Sequence, residues 1–358
     1  MAGMRFSKIT AAFICLLMAG SLIAGCGDSD DSISSGTTSA ENRPAPPKSA
    51  FPSAKGKTLA ELVNSTDGPS ELVVLPAGIT FFKGENRFSF AVFKPDRTPV
   101  TDAEVALYVA QVPEPKVGKR EKRGKGPVAR ARDEALNGPA IGPFPASVES
   151  IATQPAFRAK TTSDDPDAAM AVYSTQVDFP AEGEWRMAAL IKTGDETTTT
   201  LLSSANVGEQ KRLPRVGEKA PLIHTPTPED VGGDLSQLTT RIPPDTQNRV
   251  DYADALGKEP IVLLFATPQF CESRVCGPVV DVAEQVKEVY GDEAAFIHME
   301  IYNDNDPSKS VRPQVKAFHL PSEPWVFVID KEGTIRAQTE GAFGVDRLTK
   351  AVKEVVGE

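Results

Sequence analysis

Two cysteines, Cys271 and Cys276, follow closely on an apolar run, and the chemistry open to thiols there is disulfide exchange, peroxide reduction or the binding of a soft metal. Between them lie Glu272-Ser273-Arg274-Val275. Five residues along a continuous helix would turn the two side chains roughly 140° apart, so a bond between them requires Cys271 to sit outside the helix. Gly277-Pro278 permits that, by letting a regular helix begin only after Cys276. Arg274 and the positive end of such a helix favour the reactive thiolate, whereas Glu272 opposes it.

The elements that must position these residues are legible around them. Ile261 to Phe265 is an apolar run of strand length without alternation, which suits a central strand covered on both faces. Pro278 to Tyr290 carries Val279, Val282, Ala283, Val286, Val289 and Tyr290 on one helical face. Ala294 to Ile301 reads as a strand and Val311 to Phe318 as a short helix. Trp325 to Ile329, an Asp330-Lys331-Glu332-Gly333 turn and Ile335 follow as a hairpin, and Gly344 to Val356 closes as an amphipathic helix. A strand that empties into a polar loop, two thiols and a new helix is where open α/β sheets place their chemistry.

This order, with Pro324 directly before a core strand and Val216-Gly217-Glu218-Lys219-Ala220-Pro221 ahead of it, resembles the thioredoxin superfamily, in particular its exported members. The resemblance implies an α/β domain over residues 211–358, a cis Glu323-Pro324 bond lying against an active-site sulfur, and a redox role for Cys271 and Cys276. The pair departs from the family's Cys-x-x-Cys, and two registers stay open. Either Cys271 takes the nucleophile's place and Cys276 resolves, or Cys276-Gly277-Pro278 stands where the family has Cys-Gly-Pro-Cys. Thr267-Pro268 ahead of a Cys-x4-Cys pair loosely resembles one branch of peroxidases, but Cys271 lies one residue too far along and Pro324 replaces that branch's arginine. His319, shortly before Pro324, is a candidate third ligand by resemblance to copper-assembly members, although the cysteine spacing differs and a loop histidine without metal is the plainer reading. His298 falls in a strand and reads as structural.

At the amino terminus, Arg5 and Lys8 precede an apolar run from Ile9 to Ile23 that ends in Ala24-Gly25-Cys26. This is an export signal, and its closing cysteine resembles that of bacterial lipoproteins, which implies cleavage after Gly25 and a lipid on Cys26. An uncleaved membrane anchor is the other reading, for which the run is short. On the lipoprotein reading Cys15 leaves with the signal, residues 1–25, and Cys271 and Cys276 are the thiols left to each other in an oxidising compartment. Residues 26–68, rich in Ser, Asp and Pro, read as a disordered tether with a short helix around Leu59 to Val63.

Residues 69–210 carry strand-like runs with no helical pattern between them, among them Arg87 to Phe93, where Phe88, Phe90 and Val92 share one face, Glu104 to Val109 and Glu184 to Ile191. They predict half-buried strands in an antiparallel β-sandwich, similar to extracytoplasmic immunoglobulin-like modules. An insertion near 113–145 holds the basic run Lys119 to Lys125, read as a solvated loop or a foot on anionic lipid. Thr197 to Thr200 reads as an exposed strand edge. The chain of 358 residues has ordinary globular composition, 40% hydrophobic and 25% charged, and its net charge of −10 argues against a general nucleic-acid binder.

The expectation is a lipid-anchored, extracytoplasmic thiol-disulfide oxidoreductase that needs no cofactor and acts on exported protein thiols or a redox partner protein. Its rival is a non-catalytic lipoprotein binding module in which the disulfide is an inert staple.

Overall fold

A computed structural model describes residues 41–114, 127–164, 169–271 and 274–357. The signal segment, Cys26, the first part of the expected tether and the basic run Lys119 to Lys125 lie outside the described residues.

The amino-terminal lobe is built on two sheets. Short helix α1 (Leu59–Val63) leads into β1 (Gly68–Pro69), β2 (Val73–Pro76), β3 (Gly84–Phe93) and β4 (Glu104–Gln111). After α2 (Pro127–Ala135) come β5 (Ile141–Pro145), β6 (Ser147–Ser150), the four-residue α3 (Lys160–Ser163), β7 (Ala171–Phe179), β8 (Gly183–Thr193) and β9 (Glu196–Val207). One sheet runs β1-β9-β8-β4-β5 and the other β2-β3-β7-β6. Phe88, Phe90 and Val92 share one face as their alternation requires, and meet Leu107, Val109, Trp185 and Met187 of the facing sheet in a single core.

Three expectations fail here for one reason. The segment after residue 41 is no tether: Phe51, Leu59 and Leu62 lie buried on the outer face of the five-stranded sheet, against Ala106, Tyr108, Ala188 and Leu190. Within β4, Val105 to Ala110 are therefore buried on both faces and not half-buried. Through β1 the same segment pairs with β9, so Thr198 and Thr199 are buried inside the sheet and not on its edge. Sparse anchors that complete another element's core give no periodic signal of their own. A capping box at Thr58 and Glu61 fixes α1 within this strap, and the Tyr108 hydroxyl donates to Pro52 O at 2.6 Å. The insertion near 113–145 also holds more than a loop, since α2 and the sheet-pairing β5 occupy its second half.

The carboxyl-terminal lobe contains α4 (Tyr252–Ala255), β10 (Ile261–Phe265), α5 (Cys276–Tyr290), β11 (Ala295–Met299), α6 (Pro313–Ala317), β12 (Trp325–Ile329), β13 (Ile335–Glu340) and α7 (Val345–Val356). The sheet order is β11-β10-β12-β13, with β10 and β11 parallel and β12 antiparallel to β10. From β10 to α7 this is the β-α-β-α-β-β-α order that the thioredoxin resemblance implies. Every residue of β10, β11 and β12 is buried, because α5 and α7 cover one face of the sheet while α4 and Phe318 cover the other.

The described residues belong to one compact unit, and the contacts between its lobes explain why. The Glu340 carboxylate accepts from Ile79 N and Thr80 N, each at 2.9 Å. Gly341, at φ 76°, passes so close to Ala77 O that a side chain there would collide with backbone. Glu149 accepts from Arg87 at 2.9 Å, from Arg347 at 3.0 Å and from Gly344 N at the start of α7. Among the described residues no helix is long and apolar enough to cross a membrane.

Candidate thiol-disulfide site

Strand β10 delivers the chain to a loop that ends in a disulfide between Cys271 and Cys276, with their Cα atoms 5.8 Å apart. Cys271 lies outside the helix and Cys276 is the first residue of α5, the arrangement that the five-residue separation demands. Cys276 N donates to Cys271 Sγ at 3.3 Å, so that sulfur sits over the open end of the helix, where backbone donors have no partner within the helix. Arg274 turns the chain into α5 through a left-handed conformation at φ 60°. Pro278 falls in the first turn, where a missing N–H costs nothing.

Of the two sulfur-bearing residues, Cys276 is fully buried and Cys271 retains 8% of its surface. Cys271 opens onto a cleft of about 390 Å³. Pro268, Gln269, Phe270, Arg274, Gly277 and Pro278 form one side of it. Thr161, Thr162 and Asp164 of the amino-terminal lobe form the other. Gly277 matters for that closure, because a Cβ there would stand 2.9 Å from Thr162 Oγ1.

The Glu323-Pro324 bond is cis, as the resemblance implies. Phe265 pairs with Trp325, so Pro324 lies at the same end of the sheet as the cysteine loop, and its carbonyl accepts from Gly341 N at 2.8 Å. His319 does not join the site: it lines a separate cleft with Lys211, Arg212 and Lys316 that holds neither cysteine. Among the described residues no group of three or more His, Cys, Asp or Glu side chains could hold a metal ion.

The sequence reading missed the segment from Thr239 to Asn248, which holds the loop and both lobes in place. Arg241 is buried and donates from Nε to Asp281 Oδ1 at 2.9 Å, from Nη1 to Pro243 O at 2.8 Å and from Nη2 to Phe157 O at 2.7 Å. Asp281, one turn and more along α5 from Cys276, also accepts from Ala159 N at 3.1 Å. Burial pushes its carboxyl upward, and the Arg241 charge offsets this only in part. Thr240 reaches the cysteine loop itself: its hydroxyl accepts from Gln269 N at 3.2 Å, its carbonyl accepts from Gln269 Nε2 at 2.8 Å, and its N–H and hydroxyl donate to buried Glu300.

His298, as expected, is structural. Its Nδ1 meets Asp245 Oδ2 at 2.8 Å and its Nε2 meets Ala266 O, at the end of β10, at 3.0 Å. Both side chains are fully buried. Burial alone would hold the imidazole neutral, but the Asp245 charge and hydrogen bond outweigh it and raise the pKa. The one signal in the sequence was polarity out of place: Asp281 between Val280 and Val282, and His298 and Glu300 around Met299.

No protein-family profile matches the chain, and no curated protein matches it in sequence. Among solved structures, a thioredoxin-like protein in its oxidised form is 20% identical over 28% of this chain and 80% of its own, with a TM-score of 0.23. A thioredoxin-like superfamily protein is 16% identical over 30% of this chain and 86% of its own, at 0.23. A candidate thiol:disulfide interchange protein DsbE from Chlorobium tepidum is 18% identical over 40% of this chain and 99% of its own, at 0.27. Each likeness concerns the fold of part of the chain.

Proposed function

We propose that this protein is a thiol-disulfide oxidoreductase, held at the extracytoplasmic face of a membrane by lipid on Cys26, with Cys271 as the attacking thiol and Cys276 as the resolving one. The observation that carries the reading is the asymmetry of the bonded pair: Cys271 opens onto a cleft at the start of α5, while Cys276 is sealed beneath it. A thiolate on Cys271 would be favoured by the donor from Cys276 N and the positive end of a helix that runs to Tyr290. In exchange, that thiolate attacks a disulfide sulfur, and Cys276 then attacks Cys271 Sγ to release the partner and close the intramolecular bond. Pro324 borders the reacting sulfurs in this reading, and the amino-terminal lobe, read as an immunoglobulin-like sandwich, supplies a wall of the site.

The burial of Cys276 also favours a second reading, in which the bond is a permanent staple in a binding module. Equilibration with thiol buffers separates the two. A midpoint potential in the range of exchange enzymes, about −120 to −270 mV, is expected for the oxidoreductase, and one below about −300 mV would mark a staple. Trapping supplies the residue assignment: Cys276→Ser is expected to accumulate mixed disulfides and Cys271→Ser none, and the reverse would exchange the roles. Globomycin-sensitive processing together with loss of membrane association in Cys26→Ala tests the anchor.

A further inference from the structure

The cleft that holds His319 gathers positive charge on an acidic chain. Lys211 and Arg212, in the linker after β9, and Lys316 and His319, at the end of α6 and just beyond it, line a hollow of about 650 Å³. All four side chains are exposed, and among the described residues none of them has an ion-pair or hydrogen-bond partner. Glu209 shares the lining but pairs with none of the four. Against a net charge of −10 for the whole chain, this is a local reversal of sign.

The basic hollow continues into a second one of about 430 Å³, with which it shares Val311, Val315, Leu320 and Pro321. Here the lining is mostly apolar, with Tyr302, Ser322 and Glu323 as its polar part. Ile301 and Val315 are buried on its floor, Val311, Leu320 and Pro321 are half-buried, and Ile79 of the amino-terminal lobe stands 59% exposed at its rim. Backbone bonds fix these walls. Ile79 N donates to Glu340 Oε1 at 2.9 Å, Arg312 N to Ile301 O at 2.8 Å and Leu320 N to Val315 O at 3.3 Å. Gly208 N donates to Phe81 O at 2.9 Å where the basic linker leaves β9. An apolar trough with a basic mouth is thus preformed, and exposed apolar surface rimmed by polar groups marks interaction sites.

Three occupants could bring acid beside apolar groups. An anionic bilayer is flat, whereas these cations line a hollow. A lone alkyl chain needs enclosure, yet Ile79, Val311 and Leu320 stand partly in water. An extended polypeptide can place an apolar side chain in the trough, leave its backbone solvated and carry carboxylates to the mouth. We infer that the groove docks an extended acidic segment of a partner polypeptide. A bulky apolar side chain lies over Ile301 and Val315, and neighbouring Asp or Glu side chains meet Lys211, Arg212, Lys316 and His319. This role goes beyond disulfide exchange and needs neither cysteine, since neither lines the groove.

The test uses the full chain with its disulfide intact, so its outcome is separate from that of the exchange reading. A displayed library of short random peptides, panned on the parent, is expected to enrich Asp and Glu beside Phe, Leu or Ile. By fluorescence anisotropy, the selected peptide should bind Lys211→Glu/Lys316→Glu at least about 10-fold more weakly, and its affinity for the parent should fall several-fold from low to physiological salt. Ile79→Ser should weaken binding about 5-fold and leave the salt dependence as it is. All three positions are exposed, and urea unfolding midpoints equal to the parent's are expected to show that the variants fold. A library without binders, binders without acidic residues, or a selected peptide held as tightly by the charge-reversed variant as by the parent would overturn the inference. Binding to phosphatidylglycerol vesicles in place of peptide would give the groove to lipid, and self-association abolished by the charge reversal would give it to a second copy; either result would overturn the inference too.

Discussion

Raising the pH from about 6 to about 9.5 probes the buried His298–Asp245 pair, whose ring and carboxylate lie 2.8 Å apart with no exposed side-chain surface. Burial opposes a charge on His298, but Asp245, Glu300 and the Ala266 carbonyl together raise its pKa from 6.5 to about 9. A histidine whose pKa is higher folded than unfolded contributes stability that is full below the unfolded value and is lost as pH climbs through the folded one. The loss should therefore begin near pH 6.5 and be complete a little above pH 9. At about 1.4 kcal/mol per unit the contribution is roughly 3 kcal/mol. The depressed Asp245 carboxyl reflects the same attraction and adds nothing to that figure. The buried phenols of Tyr108, Tyr173 and Tyr252 are all pushed upward by burial, so their titration stays out of this window. Urea unfolding midpoints measured across the range should fall in the parent and stay level in His298→Gln/Asp245→Asn. A parent flat between pH 6.5 and 9, or a variant that declines as steeply, would refute the coupling.

Two substitutions test the packing around the site. Arg241→Ala leaves the Asp281 carboxylate buried without its cation and is expected to destabilise the chain by about 3 to 5 kcal/mol in urea unfolding, with Arg241→Ala/Asp281→Ala recovering much of the loss. Leu62→Ala, in the strap that follows residue 41, is expected to cost about 2 to 5 kcal/mol and to open the chain to proteolysis between residues 41 and 68, whereas a true tether would register no change in unfolding.

The carboxyl-terminal lobe was largely legible because its cues are local. Uninterrupted apolar runs mark β10 and β12, one apolar stripe marks α5, and the Asp330-Lys331-Glu332-Gly333 turn marks the final hairpin. Helical geometry likewise requires Cys271 to lie outside the helix if its sulfur is to bond that of Cys276. What failed was non-local. Phe51, Leu59 and Leu62 stand in a proline-rich stretch with no period, and they gain their burial from a sheet formed many residues later. The same holds for Arg241, whose surroundings in the sequence are loop-like and whose partners, Phe157 and Asp281, come from two different lobes. Nor does spacing alone reveal that α3 stands beside the cysteines, since only the folded chain brings Thr162 up to Gly277.

Arg241 also limits how the molecule can deform. Pulling the amino-terminal lobe away from α5 would strip Phe157 O from its guanidinium and Ala159 N from Asp281, leaving a cation and an anion half-clothed in a dry interior. A hinge at this seam is thus energetically closed, and the width of the crevice over Cys271 is set when the chain folds. Anything that reacts there must fit the gap it finds.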